Sequence, residues 1–100
     1  MNWLLPWTEV PEAVARPMEG LHPDHPLAGH PVRRAARRWD CDEVLFEVLS
    51  ERPFWAVVHL TWQDESQSPA SPTVELYDTL TDFSERRMLP DHHYYQAANP

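Results

Sequence analysis

Three stretches of the chain alternate apolar and polar positions with the period of two that a half-buried strand requires. In Asp42–Leu49, Val44, Phe46 and Val48 share one face and Leu45, Glu47 and Leu49 take the other. Phe54–Trp62 is the run richest in β-branched and aromatic residues, the composition that packs well on a pleated surface. Its set Phe54, Ala56, Val58, Leu60 and Trp62 is wholly apolar and is expected to face the core, with Trp55, Val57, His59 and Thr61 opposite. In Thr73–Leu80, Val74, Leu76 and Leu80 point one way, interrupted by Asp78, and Glu75 and Tyr77 point the other. Ser50–Pro53 has the length of a hairpin connection, and polar Gln63–Pro72, with Pro69 and Pro72, reads as a loop. Val32–Trp39 fits no period cleanly. Helical spacing stacks Arg33 on Arg37 and Arg34 on Arg38, and these like charges repel. Strand spacing sets Arg34, Ala36 and Arg38 against Arg33, Ala35, Arg37 and Trp39. A first strand is favoured because three more follow closely.

The flanks read differently. Residues 1–31 hold six of the eleven prolines. A short helix fits Glu9–Arg16, with Thr8 as cap and Pro11 in the first turn, where proline is tolerated. Pro17 stops it. His22–Pro26 is extended or turn, since a residue before proline is pushed away from the helical region, and Ala28–Pro31 is a second break. At the other end Thr81 is placed to cap a helix through Met88 or Leu89, with Asp82 and Glu85 near its positive end and Arg86 and Arg87 near its negative end. Pro90 is expected to end that helix, leaving Asp91–Pro100 as a polar tail. The pattern predicts an α+β fold. Its core is a three- to four-stranded antiparallel β-meander, with short N- and C-terminal helices covering one face. It forms one domain over 1–100: an irregular, Pro-rich segment 1–31, a β-rich core with C-terminal helix 32–89, and a tail 90–100.

Composition narrows the class. Eight basic residues, all Arg, stand against sixteen acidic ones, a net charge of −8 with His neutral. At 42% hydrophobic with eleven aromatics the chain is too apolar for full disorder. One Cys excludes an internal disulfide framework, and no apolar run reaches the roughly 18 residues of a membrane span. A general nucleic-acid binder needs a basic face that this charge opposes. The N-terminus lacks the positive n-region and uninterrupted apolar stretch of a secretory signal, so the chain is expected to be unprocessed and cytoplasmic. Absent Lys and Ile with abundant Arg, Ala and Pro point to a high-GC, bacterial genome.

One block carries a likeness. Asp42-Glu43-Val44-Leu45-Phe46, then Trp55-Ala-Val-Val-His-Leu-Thr-Trp62, Pro69, Pro72 and Glu75-Leu76-Tyr77 resemble a group of small uncharacterised bacterial proteins. The stretch from Leu21-His22-Pro23 to Gly29 and the Met88-Leu89-Pro90-Asp91 end are similar to that group too. The resemblance implies a compact, stand-alone bacterial domain and carries over no activity and no site residue.

Several residues are candidates for chemistry, each with a plainer alternative. His22 and His25 form an H-x-x-H spacing, His30 follows, and His92 and His93 lie near the C-terminus. Imidazole and carboxylate suit zinc, so a metal site is conceivable if the chain gathers them; otherwise they are loop histidines. His59 is a base candidate only if a carboxylate such as Glu47 or Glu75 orients it. Cys41 sits between Asp40 and Asp42, anions that disfavour a thiolate, and reads as a buried or partly buried structural thiol. Arg33, Arg34, Arg37 and Arg38 form the one basic strip, able to meet phosphate, although Asp40, Asp42 and Glu43 follow at once and can neutralise it. No phosphate loop and no nucleophile elbow is present.

Trp3, Trp7, Trp55 and Tyr77 are the candidate partner-binding residues, because aromatics are enriched at binding hot spots. Trp3 and Trp7 can instead pack as a lid on the sheet. The leading expectation is a non-enzymatic protein-interaction domain, immunity- or antitoxin-like, with a basic protein as partner and homodimerisation as a variant. No cofactor is expected. The alternatives are a metal-binding domain or metal-dependent hydrolase using the loop histidines, and a nucleic-acid-associated domain using the Arg33–Arg38 strip.

Overall fold

The protein is described by a computed structural model over residues 2–60 and 72–98. Four strands run as an antiparallel meander: β3 (Pro31–Arg38), β4 (Glu43–Val48), β5 (Phe54–His59) and β6 (Val74–Tyr77). Two shorter strands, β1 (Trp7–Glu9) and β2 (Arg16–Pro17), both pair with the outer edge of β3, giving a six-stranded sheet. The α+β class and the antiparallel sheet agree with the sequence pattern. The strand count is higher than expected, and the helix expected over Glu9–Arg16 is not formed.

The reason lies at the edge of β3, whose backbone groups need partners. β1 and β2 supply them, at Trp7↔Arg38 through Glu9↔Ala36 and at Arg16↔Val32 and Pro17↔Pro31. Between the two strands the Val10 N–H donates to the Ala35 carbonyl at 3.0 Å, and the Glu12 carboxylate accepts the Arg34 N–H. A lone eight-residue helix containing Pro11 is marginal in water, so the edge wins the segment.

The irregular period of Val32–Trp39 also has a physical cause. Arg34 pairs with Phe46 and Ala36 with Leu45, so Ala35 is an extra residue, a β-bulge. Val32, Arg34 and Arg37 therefore lie on the side of Val44, Phe46 and Val48. Arg33, Ala36 and Arg38 lie on the side of Leu45.

Both sides of the sheet are covered, rather than the one expected. The first side buries Trp7, Ala36, Leu45, Val57 and Tyr77 beneath Phe83 and Met88 of the C-terminal helix. The second buries Val32, Val44, Phe46, Val48, Ala56 and Val58 beneath Leu27, with Met18 and Leu21 at its margin, so the Pro-rich N-terminal chain is a cover. That chain bends at Gly20 and Gly29, whose φ values of 78° and 80° only glycine adopts without strain. Double coverage explains why Ala56, Val57 and Val58 are all buried, whereas Leu60 of the expected inward set is exposed. On the edge strand β6 the expected alternation holds, with Tyr77 buried under the helix and Leu76 exposed, beyond the reach of the loop cover. Thr61, Trp62 and most of the Gln63–Pro72 loop lie outside the described residues.

The cap of the C-terminal helix lies two residues before the expected one. Thr79, not Thr81, accepts the Asp82 N–H on its hydroxyl at 3.0 Å. The helical segment is continuous: α1 (Leu80–Phe83), a π-helical turn (Ser84–Met88) and α2 (Leu89–Ala98). Pro90 does not end it. In a regular helix the proline ring would meet the carbonyl four residues back and supply no N–H. Just ahead of it the backbone is widened, with the Leu89 N–H bonded to the Ser84 carbonyl, a local expansion of the kind that accommodates such a residue. Residues 91–98, expected as tail, are thereby helical. Among the described residues no helix is long and apolar enough to cross a membrane.

Candidate functional site

The densest polar constellation lies where β3, β4, β6 and the helix meet, on the helix-covered side. Arg87, on the π-helical turn, reaches three carboxylates: Glu43 of β4, Glu75 of β6, and Asp91 one turn on, at 2.9 Å. Arg38, brought to this side by the bulge, holds Asp40 through two bonds of 2.9 Å and also meets Glu43 at 3.3 Å and Asp91 at 3.4 Å. The Trp7 indole N–H donates to Asp91 at 2.9 Å, and the Tyr77 hydroxyl donates to Glu75 at 2.9 Å. The Arg87 guanidinium lies over the Trp7 ring at 5.9 Å. Four carboxylates face two guanidinium groups, so the cluster keeps an excess of negative charge.

The ionisation of the cluster follows from its partners. Burial pushes the Glu43 carboxyl up, but Arg87 and Arg38 more than offset this and leave it below the ordinary carboxylate range. Asp40 is lowered chiefly by its bonds to Arg38. Burial works against the Arg87 charge, yet Glu43, Asp91 and Glu75 raise its pKa further. The Tyr77 phenol is pushed up to about 12, first by burial and then by Glu75. No buried side-chain nitrogen or oxygen among the described residues lacks a partner. The cluster is a self-satisfied clasp between helix and sheet.

The four candidate aromatics are placed mainly inside. Trp7 is 1% exposed, edge-on to Phe83 at 5.1 Å, and Tyr77 is 4% exposed, edge-on to the same ring at 5.8 Å. Trp3 is half-buried at 6.4 Å from Phe83, with its N–H on Glu9, and Trp55 is half-buried opposite Glu47 and Tyr77. The helix that covers this side is what withdraws Trp7 and Tyr77 from solvent.

The histidines are dispersed. His25 is buried in the loop cover. Its Nδ1 accepts the Leu27 N–H at 3.1 Å, and its Nε2 donates to the Pro72 carbonyl at 2.9 Å, which assigns the tautomer. The His22 Nδ1 accepts the Asp24 N–H, and the His30 ring stands edge-on to Phe54. His92, on the helix side, donates from Nδ1 to the Leu5 carbonyl at 2.7 Å. Residues 22–30 and 92–93 thus belong to different covers of the sheet, and among the described residues no group of three His, Cys, Asp or Glu side chains is arranged to hold a metal ion. His59 is exposed at the end of β5, opposite Glu43 rather than Glu47 or Glu75.

Cys41 is exposed, a correction to the buried or partly buried thiol expected, because it sits on the turn between β3 and β4. The sulfur donates to Glu43 at 3.5 Å, and partial burial of the thiol, with Glu43 and Asp40, pushes it up to about 11 against the pull of Arg38. The arginine strip is divided by strand alternation, and the bulge exchanges Arg37 and Arg38 between the two sides. Arg33 pairs with Glu47 and Arg38 joins the cluster on one side, while Arg34 pairs with Glu12 and lies with Arg37 on the other. Four guanidinium groups close in sequence therefore do not form one surface.

A second constellation was not singled out by sequence. Leu5, Trp39 and Tyr95 come together from three distant segments. The Trp39 N–H donates to the Pro6 carbonyl at 3.1 Å, His92 binds the Leu5 carbonyl, and the Trp39 and Tyr95 rings meet edge-on at 6.0 Å. Leu5, Trp39 and the neighbouring Tyr94 are exposed. The spacing of four residues between Arg87 and Asp91 signals one pair of the first constellation once the helix is carried past Pro90, and no spacing signals the second. No family model, no curated protein and no solved structure matches this chain.

Proposed function

We propose that the chain is a non-enzymatic protein-interaction domain, acting in the manner of an immunity or antitoxin protein, that binds a basic protein. The observation that carries this reading is the distribution of charge. Arg33, Arg34, Arg38, Arg86 and Arg87 are held in pairs with the chain's own carboxylates. Glu19, Asp24, Asp42, Glu51, Asp78 and Glu85 are exposed and stand in no ion pair among the described residues. Internal pairing consumes most of the basic side chains, so the outward field is more uniformly acidic than the sequence order suggests. Such a field speeds encounter with a basic surface and rejects acidic ones. The test is affinity capture from the native host with the intact chain as bait, at low and high salt. The expected result is a stoichiometric basic protein whose recovery falls as salt rises. Repeated absence of any stoichiometric protein would sink the reading.

A further inference from the structure

We propose that the surface made by Leu5, Trp39, Tyr94 and Tyr95 is the docking site for this basic partner, receiving an Arg- or Lys-bearing segment; this deepens, and rests on, the protein-interaction reading above.

The argument starts from α2, a ten-residue helix with no buried residue. Its sequence, Leu-Pro-Asp-His-His-Tyr-Tyr-Gln-Ala-Ala, is rich in weak helix formers, so this end of the continuous helical segment depends on ties to the rest of the fold. It is fastened along one side, by Arg87 to Asp91, by His92 to the Leu5 carbonyl, and by Tyr95 against Trp39. Those ties fix the helix while leaving large apolar groups outside: Leu5 is 46% exposed, Trp39 55% and Tyr94 76%. Exposed aromatics held by backbone bonds lose little freedom on binding, which is what makes Trp and Tyr effective anchors.

The surroundings select the occupant. The patch borders the Arg38–Arg87 cluster with its surplus of carboxylate, and the turn after Trp39 carries Asp40 and exposed, unpaired Asp42. Aromatic faces beside carboxylates are the chemistry that recognises guanidinium and ammonium groups, through cation–π contact and ion pairing together. A nucleic acid meets like charge here. A second copy brings the same acidic rim on a chain of net charge −8.

The test uses the intact, isotope-labelled chain and a defined probe, a twelve-residue amphipathic peptide bearing Arg at its polar positions, with the same peptide bearing Glu as control. The expected result is that the Trp39 indole signal and the amides of residues 5 and 93–95 shift with the Arg peptide only. Trp39→Ala and Tyr94→Ala should each weaken binding about tenfold or more, and Leu76→Ala, on the distant β6 edge, should leave it unchanged. Tyr94 makes none of the ties that hold α2, so its truncation reports on docking even if Trp39→Ala disturbs the fold. Arg-peptide binding that both variants retain, with shifts elsewhere, overturns the site while leaving the basic-partner reading intact. Equal binding of the Glu peptide overturns the charge argument, and with it both readings. No binding of either peptide overturns the site, and the capture experiment then judges the broader reading by itself.

Discussion

The two sides of the sheet are covered in different ways. The helix side is aromatic and ionic: Phe83 meets Trp3, Trp7 and Tyr77, and the polar atoms of Trp7 and Tyr77 end on carboxylates of the arginine cluster. The loop side is mostly aliphatic, and His25, its one buried polar side chain among the described residues, binds two backbone groups. A helix satisfies its own backbone, so its side chains are free to make long-range ion pairs. An irregular chain brings unsatisfied N–H and C=O groups inward, and one imidazole joins the Leu27 N–H to the Pro72 carbonyl. The cover that lacks secondary structure needs a side chain to stand in for it.

The comparison can be broken most directly by truncating each cover. Phe83→Ala is expected to cost about 4 kcal/mol and Leu27→Ala about 3 kcal/mol, as for large-to-small changes in packed cores. If the two covers fold as one unit, both changes move the urea midpoint without altering the slope. A separate early transition seen only in Leu27→Ala would show that the loop cover opens by itself. Arg87→Met sharpens the ionic half. It leaves Arg38 alone to balance Glu43 and Asp91, each with side-chain exposure below a fifth, and a loss on the order of 3 kcal/mol is expected by thermal or urea unfolding at neutral pH.

The loop side is then probed by His25→Phe, which keeps the ring but leaves the Leu27 N–H and the Pro72 carbonyl without partners. About 2 kcal/mol should be lost. An unchanged midpoint would mean that these backbone groups find water instead. The smallest effect concerns acid. Glu43 is held below its ordinary range by Arg87 and Arg38 against the opposing effect of burial, so its contribution is fully present above about pH 4 and fades as pH falls through the lowered folded value. Glu43→Gln should therefore flatten the decline in stability between about pH 6 and pH 3 by about 1 kcal/mol, read as a difference in urea midpoints. Acid sensitivity as steep as in the unmodified chain would locate the pH dependence elsewhere.

The four longer strands were legible because β4, β5 and β6 alternate and the connections from β3 to β4 and from β4 to β5 are short. What sequence could not supply were facts about partners. Alternation alone does not reveal that both sides are covered, so it could not say that Tyr77 is buried and Leu76 exposed. The N-terminal segment has a plausible helix pattern and becomes strand only because the edge of β3 lies beside it. Pro90 is a sound stop signal by itself, overridden where the Ser84–Met88 turn widens. Residue type alone does not tell which aromatics reach solvent: Trp7 and Tyr77 are buried while Trp39, flanked by charge, is exposed. Glu43, Glu75, Arg87 and Asp91 span almost half the chain, and no spacing rule joins them.

The extra residue in β3 has a consequence for how the chain tolerates change in length. Inside and outside are assigned along a strand by parity, so losing one residue from the middle of β5, where each position has a partner, would invert every side chain beyond it. Ala35 sits outside that count. A chain lacking it would still turn Arg33, Ala36 and Arg38 toward the helix and Arg34 and Arg37 toward the loop. In this sheet, position 35 is where evolution or a designer can shorten a strand by one without reassigning a single face.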